Sequence, residues 1–196
     1  NSPLTPLFFA EKNKEETKPF RGTKHLLYTK PMAEINNDKL HEVVITGIVI
    51  KDGKYLITRR SPNKKRFPGK WTVPGGKLEI SDYIDLPKET EFYWYNVLEK
   101  VLKREVKEEA GIDIKNIEYV TSLATIHSDG NPSLVISCLA DYDSGEIKLQ
   151  EDETDKYAWV NLQEVKDYDL LDGIYEELIM ADKQRQGQKM EWQRFK

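Results

Sequence analysis

The chain has 196 residues, a third of them charged, and its 34 acidic and 30 basic side chains leave a net charge of −4. That near balance excludes a dedicated nucleic-acid coat, and a single cysteine, Cys138, excludes a disulfide framework or a cysteine-built zinc cluster. No apolar run approaches the length needed to cross a bilayer, and Leu7-Phe8-Phe9-Ala10 is too short and wrongly flanked for a secretory signal, so a cytoplasmic location is expected.

Residues 1–40 are polar, carry Pro3, Pro6, Pro19 and Pro31, and lack a sustained period, which predicts an N-terminal arm. The first residue is Asn1 rather than Met, which leaves Met32 as an alternative start. The β-branched run Val43 to Ile50, the Asp52-Gly53 turn and the stretch Lys54 to Arg60 predict a strand hairpin. Trp71 to Val73 reads as a short strand running into a turn at Gly75-Gly76. A helix is expected from about Glu91, capped by Thr90, to Ala110, with Gly111 as the left-handed residue that ends it. Strands follow over Ile117 to His127 and Ser133 to Tyr142, across the Asp129-Gly130-Asn131-Pro132 turn, and over Lys156 to Val160. Leu162 to Val165 and Leu170 to Met180 have helical spacing, with Leu170, Leu171, Ile174, Leu178 and Ile179 on one broad face. This order predicts an α/β fold, a mixed sheet with helices on both faces in an α/β/α sandwich, spanning residues 41–184, with 185–196 as a C-terminal tail.

Within the predicted helix, Arg104-Glu105-Val106-Lys107-Glu108-Glu109-Ala110-Gly111-Ile112 places three carboxylates at i, i+3 and i+4. They share one face. Such a face is either fully solvated, the common case in a highly charged chain, or built to hold a cation, with hard oxygen ligands favouring Mg²⁺ or, alternatively, Mn²⁺. Upstream, Gly75 and Gly76 let the backbone approach a ligand closely, leaving a carbonyl or amide free to face a metal or phosphate.

Together, Gly76 and the Arg104 to Ile112 stretch resemble the signature of the Nudix hydrolase family, Gly-x5-Glu-x7-Arg-Glu-U-x-Glu-Glu-x-Gly-U with U a bulky aliphatic residue. The second half fits without a mismatch. Two departures lie between the halves: Asp82 stands where the family has Glu, and twenty-one residues separate it from Arg104 instead of seven. Fourteen extra residues must loop out somewhere between Tyr83 and Val101, and the aromatic run Phe92-Tyr93-Trp94-Tyr95 there suits either a lid or a packed excursion.

The resemblance implies metal-dependent hydrolysis of a nucleoside diphosphate linked to another moiety. Glu108 and Glu109 would ligate the ion, Glu105 would ligate it or act as the base, and Gly75 would offer its carbonyl. Arg104 would orient the loop through a motif carboxylate such as Asp82 or Glu79. A further carboxylate from the Glu151 to Asp155 segment before Trp159-Val160, with Glu153 the choice, would be a ligand or base, unless that segment is only a solvated turn. His127 is a third proton acceptor to weigh against an ordinary structural histidine.

For the substrate, Arg59, Arg60, Lys64, Lys65, Arg66, Lys70 and Lys77 form a basic stretch leading into the glycine turn. Arginine binds phosphate bidentately, and Arg60 matches a position that contacts substrate in related nucleotide-hydrolysing members. Arg60, Lys77 and Arg59 are the candidate phosphate contacts, while Lys64 to Arg66 also read as an exposed loop. Ile57 to Arg60 followed by Phe67 to Trp71 looks like members that cleave nucleoside triphosphates. The expected partner is therefore a nucleotide rather than a nucleic acid or a membrane, with a homodimer left open. The alternative is a catalytically weak Nudix-fold module that binds a nucleotide or RNA; the three mutually repelling carboxylates argue against it.

Overall fold

A computed structural model of the chain describes residues 39–195. The expectations for the N-terminal arm and for Met32 fall outside these residues. Seven strands form one mixed sheet: β1 Glu42–Lys51, β2 Lys54–Arg60, β3 Trp71–Thr72, β4 Gly75–Lys77, β5 Asp113–Ile126, β6 Pro132–Ser144 and β7 Thr154–Val160. Two helices, α1 Val97–Ala110 and α2 Ile174–Arg185, complete it, with short 3-10 turns at Ile80–Asp82 and Glu164–Asp167.

The main path runs β3-β2-β1-β6-β5, with β4 paired to β1 and β7 to β2. Only β1 and β6 run parallel, from Glu42 opposite Ser133 to Ile50 opposite Asp141. Alternation along β1 and β2 sends side chains to both faces, and each face builds a core. Ile45, Val49 and Leu56 pack with Val101, Leu102, Val106 and Ala110 of α1. Ile48, Ile50, Tyr55 and Ile57 pack with Ile174, Leu178 and Ala181 of α2. The expected sandwich is present.

Several boundaries differ from the sequence reading, among them the start of β5, four residues early at Asp113, and three differ for a clear local reason. The glycine pair is a strand rather than a turn, since Gly75 and Gly76 pair with Thr46 and Ile45 of β1. α1 starts at Val97, six residues late, because Thr90 Oγ1 accepts the Tyr93 N–H and Glu89 accepts the Tyr95 N–H, closing a separate loop. Side chains that satisfy neighbouring backbone groups compete with the helix. α2 starts at Ile174 after Gly173, whose φ of 92° ends the preceding segment, and it runs one residue into the expected tail. Its buried side is not wholly apolar: Glu176 and Glu177 are buried there, with Glu177 accepting a 2.7 Å bond from Ser137.

The extra residues occupy Tyr83 to Asn96. Trp94 anchors them, donating to the Leu86 carbonyl at 2.9 Å and packing on Tyr83, while Phe92, Tyr93 and Tyr95 remain exposed. The loop is therefore a packed excursion around one tryptophan, with three aromatic rings left on its surface. No helix among the described residues is long and apolar enough to cross a membrane.

Candidate active site

The β4 strand lies between β1 and α1, and the approach is so close that only glycine fits. A Cβ on Gly76 would stand 2.0 Å from Glu105 Cδ, and one on Gly75 would stand 2.3 Å from the Ile45 carbonyl oxygen. Glu105 therefore lies directly over Gly76. One turn along α1, Glu109 accepts the Gly75 N–H at 3.1 Å. The backbone amide of Gly75, rather than its carbonyl, engages the acidic face.

Arg104 ties these carboxylates together. Its Nε donates to Asp82 Oδ1 at 2.8 Å, and its two terminal nitrogens reach Glu105 Oε1 at 2.9 Å and Glu108 Oε2 at 2.8 Å. Of the two partners expected for Arg104, Asp82 and Glu79, it is Asp82 that pairs despite the intervening loop, and Asp82 also accepts the Glu79 N–H at 2.7 Å. The shorter side chain keeps the family position.

Burial divides the three glutamates. Glu108 is exposed, Glu105 is mostly covered and Glu109 is buried. Desolvation raises the Glu105 carboxyl above its ordinary range, against the opposing pull of Arg104. For Glu109, burial pushes the carboxyl up to about 7, with the Gly75 N–H opposing it and the charges of Glu105 and Glu153 adding to it. No ion pair neutralises Glu109 among the described residues.

Glu153 comes from the loop before β7, as expected, and its charge acts on Glu109. It pairs with Lys64, and its carbonyl accepts the Ser61 N–H at 2.9 Å. Thr154 Oγ1 donates to the Glu109 carbonyl at 3.2 Å, fixing this loop to the end of α1. Arg60 stands beside Glu109 and Glu153; burial lowers its pKa while both carboxylates raise it. Its Nε donates to the Arg66 carbonyl at 2.9 Å.

Adjacent residues of a strand face opposite sides, and Arg59 accordingly turns away to Asp155, where its Nε donates at 2.8 Å. Lys77 donates to Glu42 at 2.6 Å. The structure thus brings Gly75, Arg104, Glu105, Glu108, Glu109, Glu153 and Arg60 to one region and holds Arg59 and Lys77 in ion pairs at its margins. Among the described residues, no three His, Cys, Asp or Glu side chains converge on one point.

Sequence reading missed the ties within the basic loop. Lys64 holds Glu153, and Arg66 bridges Glu42 and Asp129 rather than standing free. These partners are 89, 24 and 63 residues apart, beyond any local pattern. His127 lies with its Nε2 2.9 Å from the buried Ser133 hydroxyl, which itself donates to Glu42. Trp71 packs edge-on against Tyr168 in the core.

Glu42 is the electrostatic hub of this margin. Hydrogen bonds from Lys77 and Arg66 hold its carboxyl down at about 2. A depressed pKa adds stability above the unfolded value near 4.5 and loses it as pH falls towards 2. Glu42→Gln is therefore expected to cost about 1 kcal/mol at pH 7, allowing for solvent screening, with the difference closing near pH 2. Urea unfolding at both pH values checks this.

An acidic helix face under a glycine strand, crossed by an arginine, defines a candidate hydrolase site of the phosphoanhydride type. The NUDIX domain family model matches residues 41–180, and the chain belongs to the Nudix family of hydrolases. It is similar to the NAD-capped RNA hydrolase NudC of Actinobacillus succinogenes, 34% identical over 116 residues, covering 57% of this chain but only 37% of that protein. It thus spans little more than a third of that relative. A MutT-like protein of Streptomyces ambofaciens is 29% identical over 143 residues, covering 72% of this chain and 78% of the relative. The nucleoside triphosphatase NudI of Escherichia coli K12 is 26% identical over 139 residues, covering 65% and 86%. Among solved structures, the MutT NUDIX hydrolase from Burkholderia pseudomallei superposes with a TM-score of 0.59 at 21% identity, covering 73% of this chain and 99% of that one, which shows the fold alone.

Proposed function

We propose that this chain is a divalent-metal-dependent hydrolase of nucleoside diphosphate derivatives, cleaving nucleoside triphosphates to a monophosphate and pyrophosphate. The observation that carries the reading is the constellation at β4 and α1, with Glu105 over Gly76, Glu109 on the Gly75 N–H and Arg104 tied to Asp82. The residues fit a hard cation: a buried carboxylate raised to about 7, beside two others and with no ion-pair partner among the described residues, is a donor set that a divalent ion would relieve. Glu105, Glu108 and Glu109 would hold Mg²⁺ or Mn²⁺, with the Gly75 carbonyl as a further candidate. When bound, the ion supplies charge neutralisation and lowers the pKa of water.

The chain's own residues do the rest. A diphosphate repels hydroxide, so the site must hold the anion in line with the attacking oxygen. Arg60, half-buried and without a carboxylate in direct contact among the described residues, binds a phosphate at the floor of the site, whereas Arg59 and Lys77 would reach the anion only on leaving Asp155 and Glu42. Glu153, positioned by Lys64, or Glu105 accepts the proton as water oxygen bonds to phosphorus and the bridging oxygen leaves. Arg104 positions Glu105 and Glu108 and touches no substrate.

The triphosphate preference rests on the likeness to the nucleoside triphosphatase NudI, most of whose length the chain covers. A nucleotide panel with Mg²⁺, analysed for products, tests it: pyrophosphate from triphosphates supports the preference, and two monophosphates from NAD or ADP-ribose alone reject it. Arg60→Ala is expected to raise KM about tenfold or more while changing kcat by less than about threefold, read from steady-state kinetics. The alternative, a binding module, draws on one observation, that the carboxylates do not close on a single point. It predicts binding of a nucleotide without turnover.

A further inference from the structure

Among the described residues, no strand pairs with the outer side of β5. β5 pairs only with β6 among the described residues, and it ends the main path of the sheet. Natural edge strands of this kind are kept single by charged side chains, prolines, bulges or a covering element. From Val120 to Ile126 the sequence is Val-Thr-Ser-Leu-Ala-Thr-Ile, without a charge or a proline. The open stretch has defined ends. Before it, the Tyr119 carbonyl accepts Gln184 Nε2 at 3.2 Å, and after it the strand ends at Ile126, where the chain turns back into β6. The register irregularities of the β5 and β6 pair all lie on the Tyr119 side, so Thr121 to Ile126 is regular strand. Apolar side chains are exposed on and beside it: Leu123 at 38%, Ile126 at 77% and Leu134 at 38%.

We propose that this edge is the docking surface for a second copy of the chain, joined antiparallel through β5 about a two-fold axis at Leu123. A two-fold axis perpendicular to the sheet sets residues of the same face opposite each other, so Leu123 meets Leu123 of the copy, Thr121 meets Thr125 and Ser122 meets Ala124. Every pair within the regular stretch is uncharged. The threonine pairs are β-branched partners that stabilise antiparallel strands. The six residues Thr121 to Ile126 span roughly 20 Å, the length of an ordinary strand. The two sheets would then run on as one, burying Leu123 on one side and Ile126 with Leu134 on the other.

Sedimentation equilibrium on the full chain, with three Leu123 variants, tests this. The wild type is expected to show twice its 22.8 kDa mass at micromolar concentration. Leu123→Lys and Leu123→Glu each set like charges opposite one another and are expected to be monomeric, whereas their equimolar mixture regains the dimer at low salt. Recovery on mixing also shows that both variants are folded. Leu123→Cys is expected to form a disulfide across the axis on mild oxidation, because directly opposed strand residues lie within disulfide reach and Cys138 is buried. A wild type that stays monomeric at every concentration overturns the proposal, and so does a dimer that survives Leu123→Lys. Neither outcome bears on hydrolysis, since Leu123 is not one of the residues of the proposed site.

Discussion

Glu109→Gln is expected to lower kcat/KM by about a thousandfold and, in the absence of metal, to make the protein more stable at pH 8 than the wild type. The two effects share one cause. Glu109 is buried with its carboxyl raised to about 7, so the folded state holds a proton that the unfolded chain releases near 4.5. A raised pKa means stability that is complete below the unfolded value and is lost as pH rises through the folded one. Gln keeps an acceptor for the Gly75 N–H and carries no charge, so the variant gains roughly 1–3 kcal/mol over the wild type at pH 8 and nothing near pH 4. Mg²⁺ reverses the order, because it stabilises only a chain with its carboxylates intact. Thermal unfolding at both pH values, with and without Mg²⁺, reads all of this; equal melting curves for the two proteins under every condition would remove Glu109 from the metal site.

Gly76→Ala is the second large effect. An alanine Cβ would stand 2.0 Å from Glu105 Cδ, and the carboxylate also lies 2.2 and 2.3 Å from it through its oxygens. Glu105 is the side chain that must move, but Arg104 holds it at 2.9 Å and Gly76 is paired to Ile45 in the sheet. Overpacking of this kind costs roughly 1–3 kcal/mol, and displacement of Glu105 is expected to reduce kcat by about a hundredfold or more. The variant should still fold, as β4 is a short strand outside both cores. Full activity in a folded Gly76→Ala chain would show that Glu105 does not work from this position.

The parts of this molecule governed by short-range pattern were legible in its sequence. The β-branched run of β1, the Asp52-Gly53 turn, the acidic face of α1 and Gly111 at its end each rest on neighbours a few residues away, and each is present. A pairing of Arg104 with Asp82 or Glu79 was also expected, and the structure selects Asp82. What escaped depends on distant partners. Lys64 is held by a glutamate 89 residues on, and Ser137 meets Glu177 across 40 residues, so neither a basic loop nor a buried acid in α2 announces itself. The late start of α1 escaped for the opposite reason: Thr90 does cap backbone, but the backbone of its own loop. Arg59 and Arg60 look equivalent as neighbours, yet strand alternation sends one to Asp155 and the other towards Glu109.

On the proposed function, the carboxylates of α1 carry hydrolysis of a nucleoside phosphoanhydride. The most direct measurement of this is Mg²⁺-dependent pyrophosphate release from nucleoside triphosphates by the wild type beside the Glu105→Gln/Glu108→Gln double variant, with nucleotide binding to both proteins measured by calorimetry. Turnover confined to the wild type, with nucleotide still bound by the variant, is the predicted result. Tight binding of a nucleotide with no turnover of any substrate by the wild type, or equal turnover by both proteins, would contradict it.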